Sequence, residues 1–404
     1  DNVDLYPLLA RLVGADPERI AFVTTATSGF ALLEKNLRPE PGANVVLLGD
    51  QFPSNVYAWR RWRARDVELR MVVAPDAPLR AIAGEPGRTA RWNDAVVEAI
   101  DARTRLVSIE QAHWTDGTLF DLARIGARCR QVGAVFAVDA TQTAGAMPID
   151  VDALGIDALV VHCYKSMLAS YGLGCVVLSE RFADGEPLDE GWLVRAGSDD
   201  FAGLVDYQDA YAAGMRRYDT SLRSNGMLID MLAAACELLL EWRPERIRAY
   251  LLGIEAGFAD RLAASGFAVA APDDRAANLF GVQLPPGLSP GAVARMLRVL
   301  GFARTTVRFH EIRFHRDHDP AGEQVQRFMF TVIGERRAGD LAFLEPTDEE
   351  RDAERTVRRL IPVLTLEQLK AQAAMARELD AIHRSLAWKA MRPLRGVGRL
   401  FGRR

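Results

Sequence analysis

The chain has 404 residues, of which 49% are hydrophobic and 26% charged, with a formal net charge of −4. This length predicts two packed domains, and the charge gives no reason to expect nucleic acid as a partner. The chain has no long apolar run of about eighteen residues and no basic leader, so neither a membrane span nor a signal peptide is predicted. The four cysteines form no CxxC pair, which is typical of reduced core residues in a cytoplasmic protein.

The first predicted strand leads into a threonine-rich turn and a helix, in the stretch GADPERIAFVTTATSGFALLEKNL. Residues 24–29 supply hydroxyl groups and free backbone N–H groups at the start of that helix. Because the N–H groups and the helix dipole both favour an anion, the turn is a candidate phosphate site. An ordinary Ser or Thr N-cap is the alternative.

The next two strand–turn–helix units carry aromatic residues in or after their turns. ANVVLLGDQFPSNVYAWRRW has Phe52 in the turn, followed by a Trp- and Arg-rich stretch, 59–63, that predicts a solvated surface or a dimer contact. TRLVSIEQAHWTDGTLFDL has His113 and Trp114 in its turn. The sequence leaves His113 open between general acid–base catalysis and simple hydrogen bonding within the turn.

The following two strands end at an acid and at a lysine. VFAVDATQTAG ends its apolar run at Asp139, and the next run reaches Lys165, the only lysine between Lys35 and Lys370. A desolvated lysine can lose its proton and form a Schiff base with an aldehyde, while a nearby carboxylate can keep a pyridine nitrogen protonated. The alternative is a surface lysine beside a capping aspartate.

Strands alternate with helices from about residue 20 to residue 178, which predicts an α/β fold with a parallel sheet. Ligands of such sheets gather at the carboxyl ends of the strands. Thr27, Phe52, Asp139 and Lys165 all fall at such ends or in the turns after them. Their agreement is stronger evidence for a site than any one motif.

The sequence from Asp139 through Gln142 to Tyr164 and Lys165, followed by a glycine-rich turn, resembles the signature of the class V aminotransferases. This family of pyridoxal 5'-phosphate (PLP) enzymes has fold type I and includes cysteine desulfurases and kynureninases. The resemblance covers residues 12–328. It implies a large domain with a mostly parallel sheet flanked by helices, a smaller C-terminal α/β domain, and a homodimer.

The resemblance also implies a role for each site residue. Lys165 would form the Schiff base, Asp139 would contact the pyridinium nitrogen, and Gln142 would donate to the ring hydroxyl. The remaining implied contacts are Ala26, Thr27, His162 and Tyr164 at the cofactor phosphate, Phe52 stacked on the ring, and Arg313 at the substrate carboxylate.

The chain departs from the family in the turn after LVSIE. Family desulfurases have an asparagine pair where this chain has His113 and Trp114, which predicts a different substrate and makes Trp114 a candidate substrate contact. His113 is the candidate catalytic residue there. The stretch 217–219 matches imperfectly a family segment that contacts the cofactor phosphate of the second subunit, and Thr220 or Ser221 would have to supply that contact.

We expect three regions: a large PLP-binding domain at 1–240, to which the resemblance adds a further N-terminal segment, a small domain at 241–335, and a charged linker, amphipathic helix and basic tail at 336–404. The tail is interpreted as disordered or partner-docking, with weak contact to an anionic membrane surface as the alternative. His310, His315 and His318 complete no recognisable ligand set, so no metal is predicted.

The predicted function is PLP-dependent chemistry on an amino acid or amine, with transamination or lyase chemistry favoured and epimerisation left open. Cysteine desulfuration is disfavoured because it needs a thiolate shortly before Arg313, and no cysteine follows Cys236. The alternative from another class is a catalytically inactive scaffold of the same fold. The retained Asp139, Gln142 and Lys165 argue against that alternative.

Overall fold

A seven-stranded sheet is the centre of the protein, whose computed structural model describes residues 5–81, 85–220 and 225–284. Its strands are rich in Val, Ile, Leu and Ala, as expected for strands buried on both faces. They are β1 (Ile20–Val23), β2 (Asn44–Leu48), β3 (Glu68–Val72), β4 (Thr104–Glu110), β5 (Val135–Asp139), β6 (Ala158–His162) and β7 (Gly174–Leu178).

The strand order across the sheet is β1-β7-β6-β5-β4-β2-β3. The neighbours from β6 to β3 pair in parallel, whereas β7 runs antiparallel to both β1 and β6. The mostly parallel α/β sheet predicted from the sequence is therefore confirmed. Because the parallel strands end along one edge, their terminal residues are brought together there.

Helices cover both faces of the sheet, and alternate strand residues feed two separate cores. Val46 and Leu48 of β2 contribute to one core, and Val45 and Leu47 to the other. The helices are α1 (Leu5–Val13), α2 (Ala26–Asn36), α3 (Ser54–Arg60), α4 (Arg88–Glu98), α5 (Leu122–Val132), α6 (Val151–Leu154), α7 (Gly226–Trp242) and α8 (Pro244–Ala264).

The predicted surface role of the Trp-rich stretch is wrong for its tryptophans. Trp59 and Trp62 are buried in the core that also holds Phe30 of α2. The indole N–H of Trp62 donates to the Glu34 carboxylate at 3.1 Å, and that of Trp59 donates to the Asn55 side chain at 3.1 Å. Satisfied N–H groups allow both large rings to be buried. The predicted core position of the cysteines is confirmed, since all four are buried and none forms a disulfide.

A small two-stranded sheet follows α8, formed by β8 (Ala268–Val269) and β9 (Val282–Gln283). The proposed division into domains extends beyond residue 284 and stays a prediction. In the described part of the chain, no helix is long and apolar enough to cross a bilayer.

Candidate active site

The carboxyl edge of the sheet collects several of the predicted site residues. Asp139 is the last residue of β5, and Lys165 follows three residues after β6 ends. Phe52 lies in the turn between β2 and α3, and Ala26 begins α2 directly after β1. The fold therefore brings to one edge residues that are far apart in the sequence.

Asp139 is a buried carboxylate held by its own turn. Its Oδ1 accepts the backbone N–H of Thr141 at 2.9 Å, and the Thr141 hydroxyl accepts the N–H of His162 at 3.0 Å. Burial raises the pKa of Asp139, while the bonds from Thr141 and the charge of Lys165 oppose the rise. The turn thus orients a buried acid, and a positive charge beside it would stabilise its ionised form.

Lys165 lies against two aromatic rings. Its Nζ is 5.4 Å from the centre of the Phe52 ring and 5.7 Å from that of Tyr164. Burial lowers the pKa of His162, and the nearby Lys165 charge lowers it further. Lys165, Phe52, Asp139 and His162 therefore share one electrostatic neighbourhood.

Tyr164 and His162 belong to an aromatic cluster beside the lysine. Tyr164 stacks on Tyr171 with ring centres 3.9 Å apart, and the His162 ring meets Tyr164 edge-on at 4.5 Å. Gln142 faces the same loop through its backbone, because its carbonyl accepts the Ser166 hydroxyl and the Asn278 side-chain amide. The geometry leaves the Gln142 side chain half-buried at the edge.

A group of hydroxyls surrounds the N-terminus of α2, where the sequence predicts a phosphate site. Thr25 is the N-cap and accepts the backbone N–H of Ser28 at 3.0 Å. The Thr27 hydroxyl lies 2.8 Å from that of Ser54, the first residue of α3, and the Thr24 and Ser28 hydroxyls lie 2.7 Å apart. Thr27 is exposed, so its hydroxyl is accessible to a ligand. Ser54 was not among the predicted contacts.

His113 is fully buried, and both of its ring nitrogens contact the surrounding loops. Nδ1 lies 2.7 Å from the Thr115 hydroxyl and Nε2 lies 3.0 Å from the Gly49 carbonyl oxygen. The ring also packs against Trp92, with centres 4.9 Å apart. These contacts favour the turn-bonding interpretation of His113 over acid–base catalysis.

Trp114 lies beside Phe52 rather than in an open pocket. The two rings meet edge-on with centres 5.5 Å apart, and the indole N–H donates to the Asp50 carbonyl at 2.7 Å. Trp114 packs in a small core with Met147 and Leu279. Its position supports Phe52, and a direct substrate contact stays a prediction.

The Aminotransferase class-V family model matches residues 7–298 of the chain. The chain belongs to the class V aminotransferase family. The match confirms the predicted family and, with it, the assignment to PLP as cofactor. The fold type is confirmed as well, since solved PLP enzymes of this fold resemble the structure.

Relatives of this class V chain are named for different activities. A probable cysteine desulfurase of Methanothermobacter thermautotrophicus is 30% identical over 208 residues, which are 51% of this chain and 49% of that protein. Isopenicillin N epimerase of Streptomyces clavuligerus is 29% identical over 186 residues, or 46% of this chain and 45% of the epimerase. The chain thus spans about half the length of these curated relatives.

Solved structures show the shared fold at low sequence identity. A complex of a cystine C–S lyase with its product cysteine persulfide matches with a TM-score of 0.65 and 19% identity, covering 88% of this chain and 85% of that chain. The apo cysteine desulfurase of Thermococcus onnurineus matches with a TM-score of 0.59 and 20% identity, covering 72% of this chain and 70% of that chain.

The residues that the family resemblance assigns to the cofactor have the chemical groups that PLP requires. A buried carboxylate, a lysine beside an aromatic ring, and a hydroxyl-lined helix N-terminus offer partners for a pyridinium nitrogen, an aldehyde and a phosphate respectively. Arg313, the predicted carboxylate contact, lies outside the described residues. In the stretch 217–219, the Asp219 carboxylate accepts the Phe22 N–H and the Tyr6 hydroxyl, and a phosphate contact from a second subunit stays a prediction.

Sequence reasoning missed Glu110, a second acid at this edge of the class V fold. Glu110 is the last residue of β4, is 2% exposed, and pairs in register with Asp139 on β5. Burial and the charge of Asp139 raise the pKa of Glu110 to about 8. The sequence gives the same indication for Glu110 as for Asp139, because each is an acid at the end of an apolar strand.

Proposed function

We propose that the protein is a PLP-dependent enzyme that converts an amino acid or amine, with Lys165 as the Schiff-base lysine. One observation carries this proposal: the Lys165 amine lies 5.4 Å from the centre of the Phe52 ring, at the strand edge where Asp139 is buried. An aromatic face, an amine and a buried acid are the groups that a flat pyridine aldehyde requires from a protein.

Each residue then has a defined task. Asp139 holds the proton of the ring nitrogen by its charge, and the Thr141 bond keeps its Oδ1 in place. Phe52 covers one ring face, Gln142 donates to the ring hydroxyl, and Thr27 binds phosphate. Ala26, His162 and Tyr164 complete the cofactor contacts.

When bound, PLP supplies an aldehyde that joins covalently to amines and a ring that withdraws electrons from the substrate α-carbon. The Lys165 Nζ would hold the aldehyde, and the same amine would accept and return the α-proton of the substrate.

Transamination or lyase chemistry is the proposed reaction type, and Arg313 is the proposed contact for a substrate carboxylate. Cysteine desulfuration is disfavoured because the four cysteines are buried and none lies near Arg313 in the sequence. Burial raises the pKa of the Cys129 thiol to about 12, so it carries little thiolate at neutral pH. A homodimer is proposed from the family expectation.

The test is reduction of the purified protein with borohydride in the presence of PLP. We expect a visible band of the order of 420 nm that disappears on reduction, and a pyridoxyl group that peptide mass spectrometry locates on Lys165. Lys165→Ala should abolish the band. Lys35→Ala is the matched control, since Lys35 and Lys165 are the lysines of the described residues and Lys35 donates to the Pro187 carbonyl.

A wild-type protein that takes up no PLP would reject the enzyme proposal and favour the inactive scaffold. A band retained in Lys165→Ala would reject Lys165 as the attachment site. Addition of single amino acids to the coloured protein then identifies the substrate class by the change in the band.

A further inference from the structure

Two backbone amides from different loops converge on one buried carboxylate. Glu110 Oε1 accepts the N–H of Phe52 at 2.9 Å, and Oε2 accepts the N–H of Trp114 at 2.9 Å. Phe52 belongs to the loop after β2, and Trp114 belongs to the loop after β4. The side chain of Glu110 therefore joins the two loops through one bond from each oxygen.

The residues joined in this way face the proposed cofactor site. The rings of Phe52 and Trp114 meet edge-on at 89°, and the Lys165 amine lies on the Phe52 side. The Trp114 indole N–H is held separately by the Asp50 carbonyl. With its backbone held by Glu110 and its edge held by Trp114, the Phe52 ring has little freedom to tilt.

Packing alone does not explain an acid at position 110. A buried carboxyl is costly unless hydrogen bonds or charges compensate it, and an apolar residue would fill the same space at lower cost. Glu110 is also the register partner of Asp139, so the two acids emerge on the same face of adjacent parallel strands. The charged groups whose fields reach Glu110 are Asp139 on β5 and Lys165 after β6.

We propose that Glu110 is a positioning residue, which fixes Phe52 and Trp114 through their backbone amides and thereby sets the geometry in which Phe52 stacks on the cofactor ring. This inference rests on the proposed function. Glu110 acts through Phe52 and touches neither cofactor nor substrate itself.

The test compares Glu110→Gln and Glu110→Asp with the wild-type protein. The glutamine nitrogen cannot accept an N–H, so one of the two amides loses its partner, and aspartate is one methylene too short to reach both. Glu34→Gln is the matched control: Glu34 is buried and accepts the Trp62 indole N–H, which a glutamine oxygen can still accept. The readouts are the Kd for PLP and the visible circular dichroism per bound cofactor.

We expect both Glu110 variants to bind PLP about tenfold more weakly, the size of one lost hydrogen bond. At saturating PLP their circular dichroism should be weaker, because a loosened ring is less asymmetrically held. Glu34→Gln should change neither readout, whatever it does to stability.

Wild-type affinity and circular dichroism in both Glu110 variants would overturn the inference. Failure of both variants to fold, with Glu34→Gln folded, would also overturn it and assign Glu110 a purely structural role. Absence of PLP uptake by the wild-type protein is a different result, because it rejects the proposed function itself.

Discussion

The loops after β4 and β6 both reach the carboxyl edge of the sheet, yet they are built in opposite ways. The β4 loop, residues 111–121, is largely buried and is bonded to a distant segment: Leu119 N donates to Asp274 O, Ala276 N to Gly117 O, and Gly281 N to Asp116 O. A buried ion pair between Arg88 and Asp116 holds it from another side.

The β6 loop, residues 163–173, closes mainly on itself. Leu168 N donates to Lys165 O and Ala169 N to Cys163 O, both at 3.0 Å, while Leu168 and Tyr171 are more than half exposed. The comparison indicates that the two loops have different roles. The β4 loop supports Phe52, and the β6 loop carries Lys165, the proposed Schiff-base lysine.

The sharpest test of this difference uses one glycine from each loop. Gly117 and Gly172 both have a positive φ, +73° and +84°, but a Cβ at Gly117 would lie 1.8 Å from Leu279 O, whereas a Cβ at Gly172 would meet nothing within 4 Å. We expect Gly117→Ala to lose about 3 kcal/mol or more, from backbone strain plus steric clash. Gly172→Ala should lose only about 1–2 kcal/mol, from the strain alone.

Urea unfolding followed by circular dichroism measures both losses. Equal losses in the two variants would contradict the view that the β4 loop is pinned to the segment around Leu279. A larger loss of stability in Gly172→Ala than in Gly117→Ala would mean that the β6 loop is the more constrained of the two loops.

A second effect concerns pH and the acid at the end of β4. The pKa of Glu110 is raised from 4.5 to about 8, so the folded protein keeps this proton over a range in which the unfolded chain releases it. Stability from this group therefore falls as the pH rises from 4.5 to about 8, by up to about 1.4 kcal/mol per pH unit.

Glu110→Gln removes the titrating group. The free energy of unfolding of the wild-type protein minus that of the variant should therefore fall as the pH rises from 4.5 to about 8. Urea titrations of cofactor-free protein at several pH values measure this difference. A difference that stays constant with pH would contradict the raised pKa of Glu110.

The contrast between the loops also explains which parts of the site could be predicted from the sequence. Asp139 and Lys165 follow apolar strands in order, and a parallel sheet requires such residues to meet at one edge, so local pattern was enough. Glu110 also ends an apolar strand, but its hydrogen-bond partners are backbone N–H groups. Almost every residue type has such a group, so the sequence does not show which ones Glu110 binds.

Burial of the tryptophans could not be predicted for a related reason. Trp59 and Trp62 stand among three arginines in the stretch 59–63, a composition typical of an exposed face. Their indole N–H groups are satisfied by Asn55 and Glu34, and Glu34 lies on a different helix. Only the tertiary fold supplies the acceptor that makes burial of Trp62 possible.

The smallest expected effect lies in the β6 loop itself, at Leu168. This residue has φ +58°, a left-handed conformation that costs a side chain about 1–2 kcal/mol, and it is 53% exposed, so little packing compensates the strain. Leu168→Gly removes the strain but also loosens the unfolded chain, and the two effects partly cancel. We therefore expect a stability change within about 1 kcal/mol, most often a gain, in urea unfolding.

Because Leu168 N bonds to Lys165 O, the same variant should also make the lysine turn more mobile, measured as faster amide hydrogen exchange at residues 165–169. A large loss of stability would show that the exposed Leu168 side chain is buried by a second subunit, and the β6 loop would then be a support as well.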